Sequence, residues 1–532
     1  MTLSEKSSQG DDEASAVRAG YDLSSAKVLV VGAGIMGAGI AQVAAQAGHF
    51  VYLYDTKAGA AEAAHSNLKD TLAILEKRGK LGNTPAHDIA SKIRPIDALA
   101  VAGDAGLAVE AVVEKLEVKR SLFQNLENIV SEDCILATNT SSISVTAIGN
   151  GMKKPDRLVG MHFFNPVPVM KLVEVVSGLQ TNPAVASAIY KLSHSWGKTP
   201  VFAKSTPGFI VNRIARPFYA EALALLQEQF SEPAVVDACM RAAGFRMGPC
   251  ELMDLIGHDT NFAVTQSVFE ANFFDKRYTP SVVQRELVDG GLLGKKSGQG
   301  FFDYKSSAST KTHPSVSVAS ESSPPPTLKR IVVNGTGKIT TSWIQRLKDK
   351  GVPCSENPQA DWTGLQIDEL QIRVTDGRTA TEMGSKSQSV IVVDLPLFTK
   401  PGQALAFAAA TTSKPAAIVT AKAWLSVLDY QPVEVKDTPG LLVARTIAML
   451  INEAADAVNQ GVCSINDADA AMKLGVNYPA GPFEWLREYG VSSVVDVLEN
   501  LDRIYRGDRY RISPWLRLSL TNTTVWSKGP PP

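Results

Sequence analysis

Short apolar runs punctuate the first part of the chain: KVLVV at 27–31, FVYLY at 50–54, LAVEAVV at 107–113 and a run over 134–138. Apolar residues at odd and even positions alike predict strands covered on both faces, the habit of a parallel sheet. Between them, 38–48 and most of 58–95 have helical spacing. Residues 170–176 change the rhythm, with period-two alternation that puts Leu172, Glu174 and Val176 on one face. This strand is expected to close the sheet. From 206 the pattern is helical to about 304, in a long amphipathic run broken at Pro217. Residues 306–327, SSASTKTHPSVSVASESSPPPT, have almost nothing to bury and read as a linker.

The first run leads straight into Gly32-Ala33-Gly34-Ile35-Met36-Gly37 and a small-residue helix, and the second run ends at Asp55, eighteen positions after Gly37. A lone GxGxxG is weak evidence, but strand, glycine loop, helix, strand and acid in this order have a joint mechanism. Gly32 allows the tight turn, Gly34 lets backbone approach a pyrophosphate, and Gly37 lets helix and strand pack. Ile35 and Met36 complete the loop at the helix N-terminus, which favours the anion. Asp55 would accept hydrogen bonds from ribose hydroxyls and repel a 2′-phosphate, which favours NAD over NADP. The fold class expected is α/β: an N-terminal Rossmann dinucleotide-binding domain followed by an all-α domain.

After the linker the chain repeats itself. Pro439-Gly440 matches Pro207-Gly208, and at equal offsets Val443, Arg445, Glu453 and Asp469 match Val211, Arg213, Glu221 and Asp237. One inserted residue later, Gly481-Pro482, Glu484 and Gly490 match Gly248-Pro249, Glu251 and Gly257. This predicts a second copy of the helical domain. Before it, KRIVV at 329–333 and Asn334-Gly335-Thr336-Gly337 echo the opening strand and turn without the third glycine or a following Asp. That segment reads as a degenerate Rossmann-like domain without its ligand. The expected organisation is a disordered tail over 1–24, a cofactor domain over 25–205, a helical domain over 206–305, the linker, the degenerate domain over 328–436 and the second helical copy over 437–532.

The candidate chemistry lies in 158–176, LVGMHFFNPVPVMKLVEVV, where Pro166 and Pro168 force a bend between His162 and Glu174. A carboxylate on an apolar face needs a partner, and the bend can bring His162 to it. Glu174 on one imidazole nitrogen would leave the other free as a base near neutral pH. The alternative is a hairpin whose His and Glu merely satisfy each other. All seven histidines lie at or before His313, and Ala444 stands where the first copy has Asn212. Any histidine chemistry therefore belongs to the first half, and the second half reads as architectural.

Composition narrows the partners. The chain of 532 residues is 45% hydrophobic and 20% charged with net charge −1, which offers no basic excess for nucleic acid or an anionic membrane. No apolar stretch reaches the ~18 residues of a membrane span. The polar, acid-containing first twenty residues do not read as a targeting peptide. Five scattered cysteines without a CxxC pair fit reduced thiols in a cytoplasm and argue against a zinc site. The basic positions Lys69, Lys77, Arg78 and Lys80 are either a solvated helix face or a landing surface for a phosphate-bearing substrate.

HFFNPVPVMKLVEVV, the NTSS at 139–142, PGFIVNR and GPCELMDLIGHD, after VLVVGAGIMGAGIAQ, closely resemble the L-3-hydroxyacyl-coenzyme A dehydrogenases over about 25–304. The duplication resembles the longer bacterial members, of the 3-hydroxybutyryl-CoA or 3-hydroxyadipyl-CoA type. Residues 328–435 depart most from the family pattern. The resemblance implies an acyl-CoA substrate oxidised at its 3-hydroxyl with NAD as acceptor, in fatty-acid or aromatic-acid β-oxidation. It implies His162 as base, Glu174 as the group that orients it, and Ser141 and Asn212 as holders of the reacting oxygens. It assigns Gly32, Gly34, Gly37, Asp55, Glu110, Lys115 and Asn139 to the cofactor. On local grounds Ser141 reads equally as a helix cap. A dehydrogenase of a free hydroxy or sugar acid, and a non-catalytic NAD-binding protein, are the competing readings. Assembly is expected as a homodimer or as a pseudo-dimer within one chain.

Overall fold

The structure, a computed structural model, describes residues 21–82, 84–305, 330–385, 387–397 and 401–521. The expected tail falls almost wholly, and the linker wholly, outside the described residues. The first sheet contains β1 (Val28–Val31), β2 (Val51–Tyr54), β3 (Ile93–Ile96), β4 (Leu107–Glu110), β5 (Ile135–Thr138), β6 (Leu158–Phe163), β7 (Leu172–Ser177) and β8 (Thr199–Lys204). Their order is β3-β2-β1-β4-β5-β6-β7-β8, and only β6 and β7 pair antiparallel. The apolar runs of β1, β4 and β5 are buried throughout because helices cover both faces. Strand order reverses between β1 and β4, so a crevice opens at their carboxyl ends.

Three expectations change. The strand carrying Glu174 does not close the sheet, because β8 pairs beyond it. The run at 107–113 stops as a strand at Glu110. The mainly helical stretch 58–95 ends in edge strand β3, whose Arg94 and Pro95 break the apolar signal.

The second sheet contains β9 (Ile331–Asn334), β10 (Ser355–Asn357), β11 (Gly364–Ile367), β12 (Leu370–Val374), β13 (Val390–Val393), β14 (Gln403–Ala409) and β15 (Tyr430–Glu434). Antiparallel β13–β14 followed by parallel β14–β15 repeats the pairing of β6, β7 and β8. Register locates the lost chemistry. Val201 pairs with Glu174 and Val433 with Ala406, each strand residue six positions before its Pro-Gly turn. Asp394, whose N–H donates to the Ala406 carbonyl, therefore stands where the first half has His162. Glu174 accepts the Ile210 and Val211 N–H groups, and Asp394 accepts those of Leu442, Val443 and Ala444. The carboxylate that seats the helical domain persists but has moved to the partner strand, and the histidine is gone.

Helix Val443–Asn459 runs through the centre of the molecule with sixteen of its seventeen residues buried, so it must pack on all sides. Against it lies Arg216–Gln227 of the first copy. Two buried glutamates here are each neutralised by arginines of the other copy. Glu453 takes Arg213, Arg277 and Tyr278; Glu221 takes Arg445, Arg509 and Tyr510. The matched glycines have a steric cause. A Cβ on Gly248 would lie 2.2 Å from Asp237, and one on Gly481 2.3 Å from Asp469. Asp237 accepts two N–H groups, and Asp469 one, from the first turn of the helix that follows.

Candidate active site

The bend at 164–171 places β6 and β7 side by side with His162 directly opposite Glu174. His162 Nδ1 and Glu174 Oε2 are 2.6 Å apart, and both side chains are buried. A carboxylate opposite Nδ1 requires the hydrogen on that nitrogen, which leaves Nε2 with its lone pair. Glu174 Oε1 accepts the N–H groups of Ile210 and Val211 at 3.0 Å each, at the start of helix Val211–Ile214. One carboxylate thus orients the imidazole and docks the helical domain on the sheet. The rings of Phe164 and Phe209 lie 4.5 and 5.9 Å from the imidazole. Lys198 donates to the carbonyl oxygens of Val167 and Met170 and ties down the bend. Burial and the nearby Lys171 bring its ammonium down to about 8.

Asn212 follows Val211 and donates through Nδ2 to the Ser141 carbonyl oxygen at 3.3 Å. His162, Glu174, Asn212 and Ser141 therefore lie along one connected path from sheet to helix to loop. Asn139 Oδ1 accepts the Phe163 N–H at 2.8 Å, so this side chain fixes β6 one residue from His162.

Glu114 organises the loop after β5, a role the sequence did not reveal. It accepts Thr140 Oγ1 at 2.6 Å, Ser141 N–H at 3.0 Å and Ser142 Oγ at 3.0 Å, and pairs with Lys119 at 3.1 Å. Burial works against its charge, but Lys119 and the Thr140 hydroxyl hold the carboxyl below its ordinary range. Lys119 is buried and bonds Glu110 at 2.6 Å. Glu110 in turn accepts Val112 N–H at 2.8 Å and Thr138 Oγ1 at 2.6 Å and has no exposed surface. Glu110 lies at the end of β4, where strand order reverses, and its carboxylate neutralises Lys119. Lys115 is exposed at the start of helix Leu116–Leu126.

At the glycine loop, a Cβ on Gly32 would meet the Ala111 carbonyl oxygen at 2.4 Å, and one on Gly37 would lie 1.7 Å from the Gly32 oxygen. Packing within this chain requires both. A Cβ on Gly34 would meet nothing within 4 Å, and no side chain caps the helix Ile35–Gln46 that it begins. Asp55 accepts the Ala33 N–H at 2.7 Å and so binds the loop to the end of β2. Ile35 and Val113, after adjacent strands β1 and β4, are 79% and 60% exposed apolar groups beside the crevice, while Met36 is half-buried.

Comparison with known proteins gives matches along most of the chain. The family description "3-hydroxyacyl-CoA dehydrogenase, NAD binding domain" matches residues 27–206. Its C-terminal domain matches twice, at 208–304 and 440–524. A "3-hydroxybutyryl-CoA dehydrogenase reduced Rossmann-fold domain" matches 372–439. The chain is 42% identical over 492 residues, 92% of its length, to 3-hydroxyadipyl-CoA dehydrogenase of Escherichia coli K12, covering 96% of that protein. The chain belongs to the 3-hydroxyacyl-CoA dehydrogenase family. Among solved structures of the family, 3-hydroxybutyryl-CoA dehydrogenase from Escherichia coli K12 superimposes with a TM-score of 0.83 at 40% identity, over 94% of this chain and 99% of the other. A shorter relative, the probable 3-hydroxybutyryl-CoA dehydrogenase of Bacillus subtilis, is 40% identical over 53% of this chain and 99% of its own. The duplicated half is thus what separates the longer members of the family from the shorter. Among the described residues no helix is long and apolar enough to cross a membrane, and no cluster of His, Cys, Asp and Glu could hold a metal ion.

Proposed function

We propose that this chain oxidises (3S)-3-hydroxyacyl-CoA to 3-oxoacyl-CoA with NAD as acceptor. The observation that carries the proposal is the buried pair of His162 and Glu174, 2.6 Å apart and aligned between β6 and β7. With Nδ1 held by Glu174, His162 takes the proton of the 3-hydroxyl at Nε2, and the same carboxylate stabilises the imidazolium that results. A positioned base of this kind is worth about 10²–10⁴-fold. Asn212 and Ser141 hold the oxygens of the reacting group, and Phe164 and Phe209 keep water from the imidazole.

The glycine loop fits a dinucleotide because Gly34 leaves space that no described residue fills, at a helix N-terminus without a side-chain cap. Asp55 reads the ribose and repels a 2′-phosphate, and Ile35 and Val113 offer apolar surface to a flat ring. Bound NAD supplies the hydride acceptor. Lys115 and Asn139 border this region; Asn139 acts mainly by holding β6. We further propose the division into cofactor, helical, degenerate and second helical domains given above, and a reducing compartment, in keeping with five free cysteines.

The test is NADH oxidation with acetoacetyl-CoA by wild type and His162→Gln. Rapid turnover that collapses in the variant while NADH still binds is expected. Turnover of a free hydroxy acid without the CoA group would overturn the substrate assignment.

A further inference from the structure

Arg216 begins helix Arg216–Gln227 one turn after Asn212 and is 5% exposed. Its Nε donates to the Asn212 carbonyl oxygen at 3.0 Å, Nη1 donates to Thr265 Oγ1 at 3.0 Å, and the guanidinium lies 4.9 Å from the Tyr219 ring. Among the described residues no carboxylate pairs with it. Arg213, Arg277, Arg445 and Arg509 in the same core each have one. A buried cation without an anion is costly, and burial holds this guanidinium below its ordinary value. Arg216 borders a cavity of about 120 Å³ that Thr265, Ser281, Gln284 and Arg509 also line. Arg509 is already committed to Glu221. At ~30 Å³ per water-sized group, the space holds about four such groups. That suits a carboxylate and its neighbouring methylene but not a coenzyme.

The second copy serves as an internal control. Arg213, Glu221 and Asp237 recur there as Arg445, Glu453 and Asp469, so the architecture needs them. Arg216 becomes Ala448, and Thr265, eight residues after Gly257, becomes Leu498, eight after Gly490. The helical domain folds without this cation and its hydroxyl partner. Arg216 therefore groups with Asn212, whose counterpart is Ala444, among features confined to the copy that faces the His162 site.

We infer that Arg216 receives the carboxylate at the far end of a dicarboxylic 3-hydroxyacyl chain and so selects a dicarboxylic acyl-CoA. The inference rests on the proposed function. In a six-carbon diacid, three bonds separate C3 from the terminal carboxylate carbon, and Arg216 lies one helical turn, ~5–6 Å, from the residue that holds the oxygen at C3. A chain that ends in a methyl group would leave the guanidinium unpaired.

The test uses the full-length protein and NADH with 3-oxoadipyl-CoA, its terminal methyl ester and 3-oxohexanoyl-CoA. Wild type should favour the free acid over both neutral chains by about 10–100-fold in kcat/KM, the range for a hydrogen bond to a charged group. Arg216→Met should bring that ratio close to one. Should this variant fail to fold, the wild-type ratio of acid to ester still decides. Equal turnover of the three by wild type, or a ratio unchanged in Arg216→Met, would overturn the inference and leave the proposed function standing. No turnover of any acyl-CoA would overturn both.

Discussion

Arg213 Nε donates to Glu453 at 2.6 Å, and Arg445 Nε returns the contact to Glu221 at 2.6 Å. The arginine of each helical copy is thus neutralised by the glutamate of the other. All four residues are buried, so each half leaves charges that only the other half can satisfy. The second half has lost the histidine, the orienting glutamate and the asparagine, yet keeps this exchange. Its retained residues mark an architectural role.

Glu453→Ala should therefore be severe. Arg213 would remain buried without an anion and Arg277 would keep only Asp456, and breaking such a pair costs about 3–5 kcal/mol. Urea denaturation should show a loss of that order, with Glu221→Ala similar. A loss under about 1 kcal/mol would show that water enters and replaces the carboxylate.

The same pairs set an acid limit on stability. Burial alone would raise Glu221 and Glu453, but Arg509 and Arg445 at the first, and Arg213 and Arg277 at the second, outweigh it and hold both below their ordinary value. The folded protein then binds fewer protons than the unfolded chain. The stabilisation is fully present above the ordinary value of 4.5 and is lost as pH falls through the depressed values. Denaturation midpoints should drop steeply below about pH 4.5, and Glu453→Gln should lower the plateau at neutral pH and flatten that drop.

Glu174→Gln separates orientation from docking. A glutamine oxygen can still accept the Ile210 and Val211 N–H groups, while its amide must donate to His162 Nδ1. That forces the imidazole hydrogen onto Nε2 and removes the base. We expect kcat to fall about 10³–10⁴-fold while NADH affinity and stability change little. Retained activity would mean that the tautomer is not fixed by this pair.

Much of this geometry is legible in the sequence, for identifiable reasons. The two prolines and the period-two pattern already allowed His162 and Glu174 to meet. The glycine loop and Asp55 lie within one strand–helix–strand unit, where local order suffices. The pairing of Glu110 with Lys119 was not legible, because Lys119 sits on the following helix and sequence does not say which way the last side chain of a strand turns. Edge strands β3 and β8 contain Pro95 and Pro200 and lack a continuous apolar run, so neither announced itself. The transfer of the domain-seating carboxylate from Glu174 to Asp394 depends on register between strands, which no local pattern encodes.

Removal of residues 306–532 tests what the second copy is for. Truncation would uncover the face of helix Arg216–Gln227 that now packs on Val443–Asn459, and would strand Arg213 and Glu221 without counter-ions. The exchange between copies is reciprocal, so a second truncated molecule could restore it: Arg213 of one would meet Glu221 of the other about a twofold axis. The truncated protein should therefore run as a dimer or precipitate, as read by light scattering after gel filtration. Glu221→Arg in that background should abolish the dimer, because two like charges would then be buried together. A truncated chain that stayed monomeric and fully active would show that the first half is self-sufficient, and would sink the idea of an intrachain pseudo-dimer.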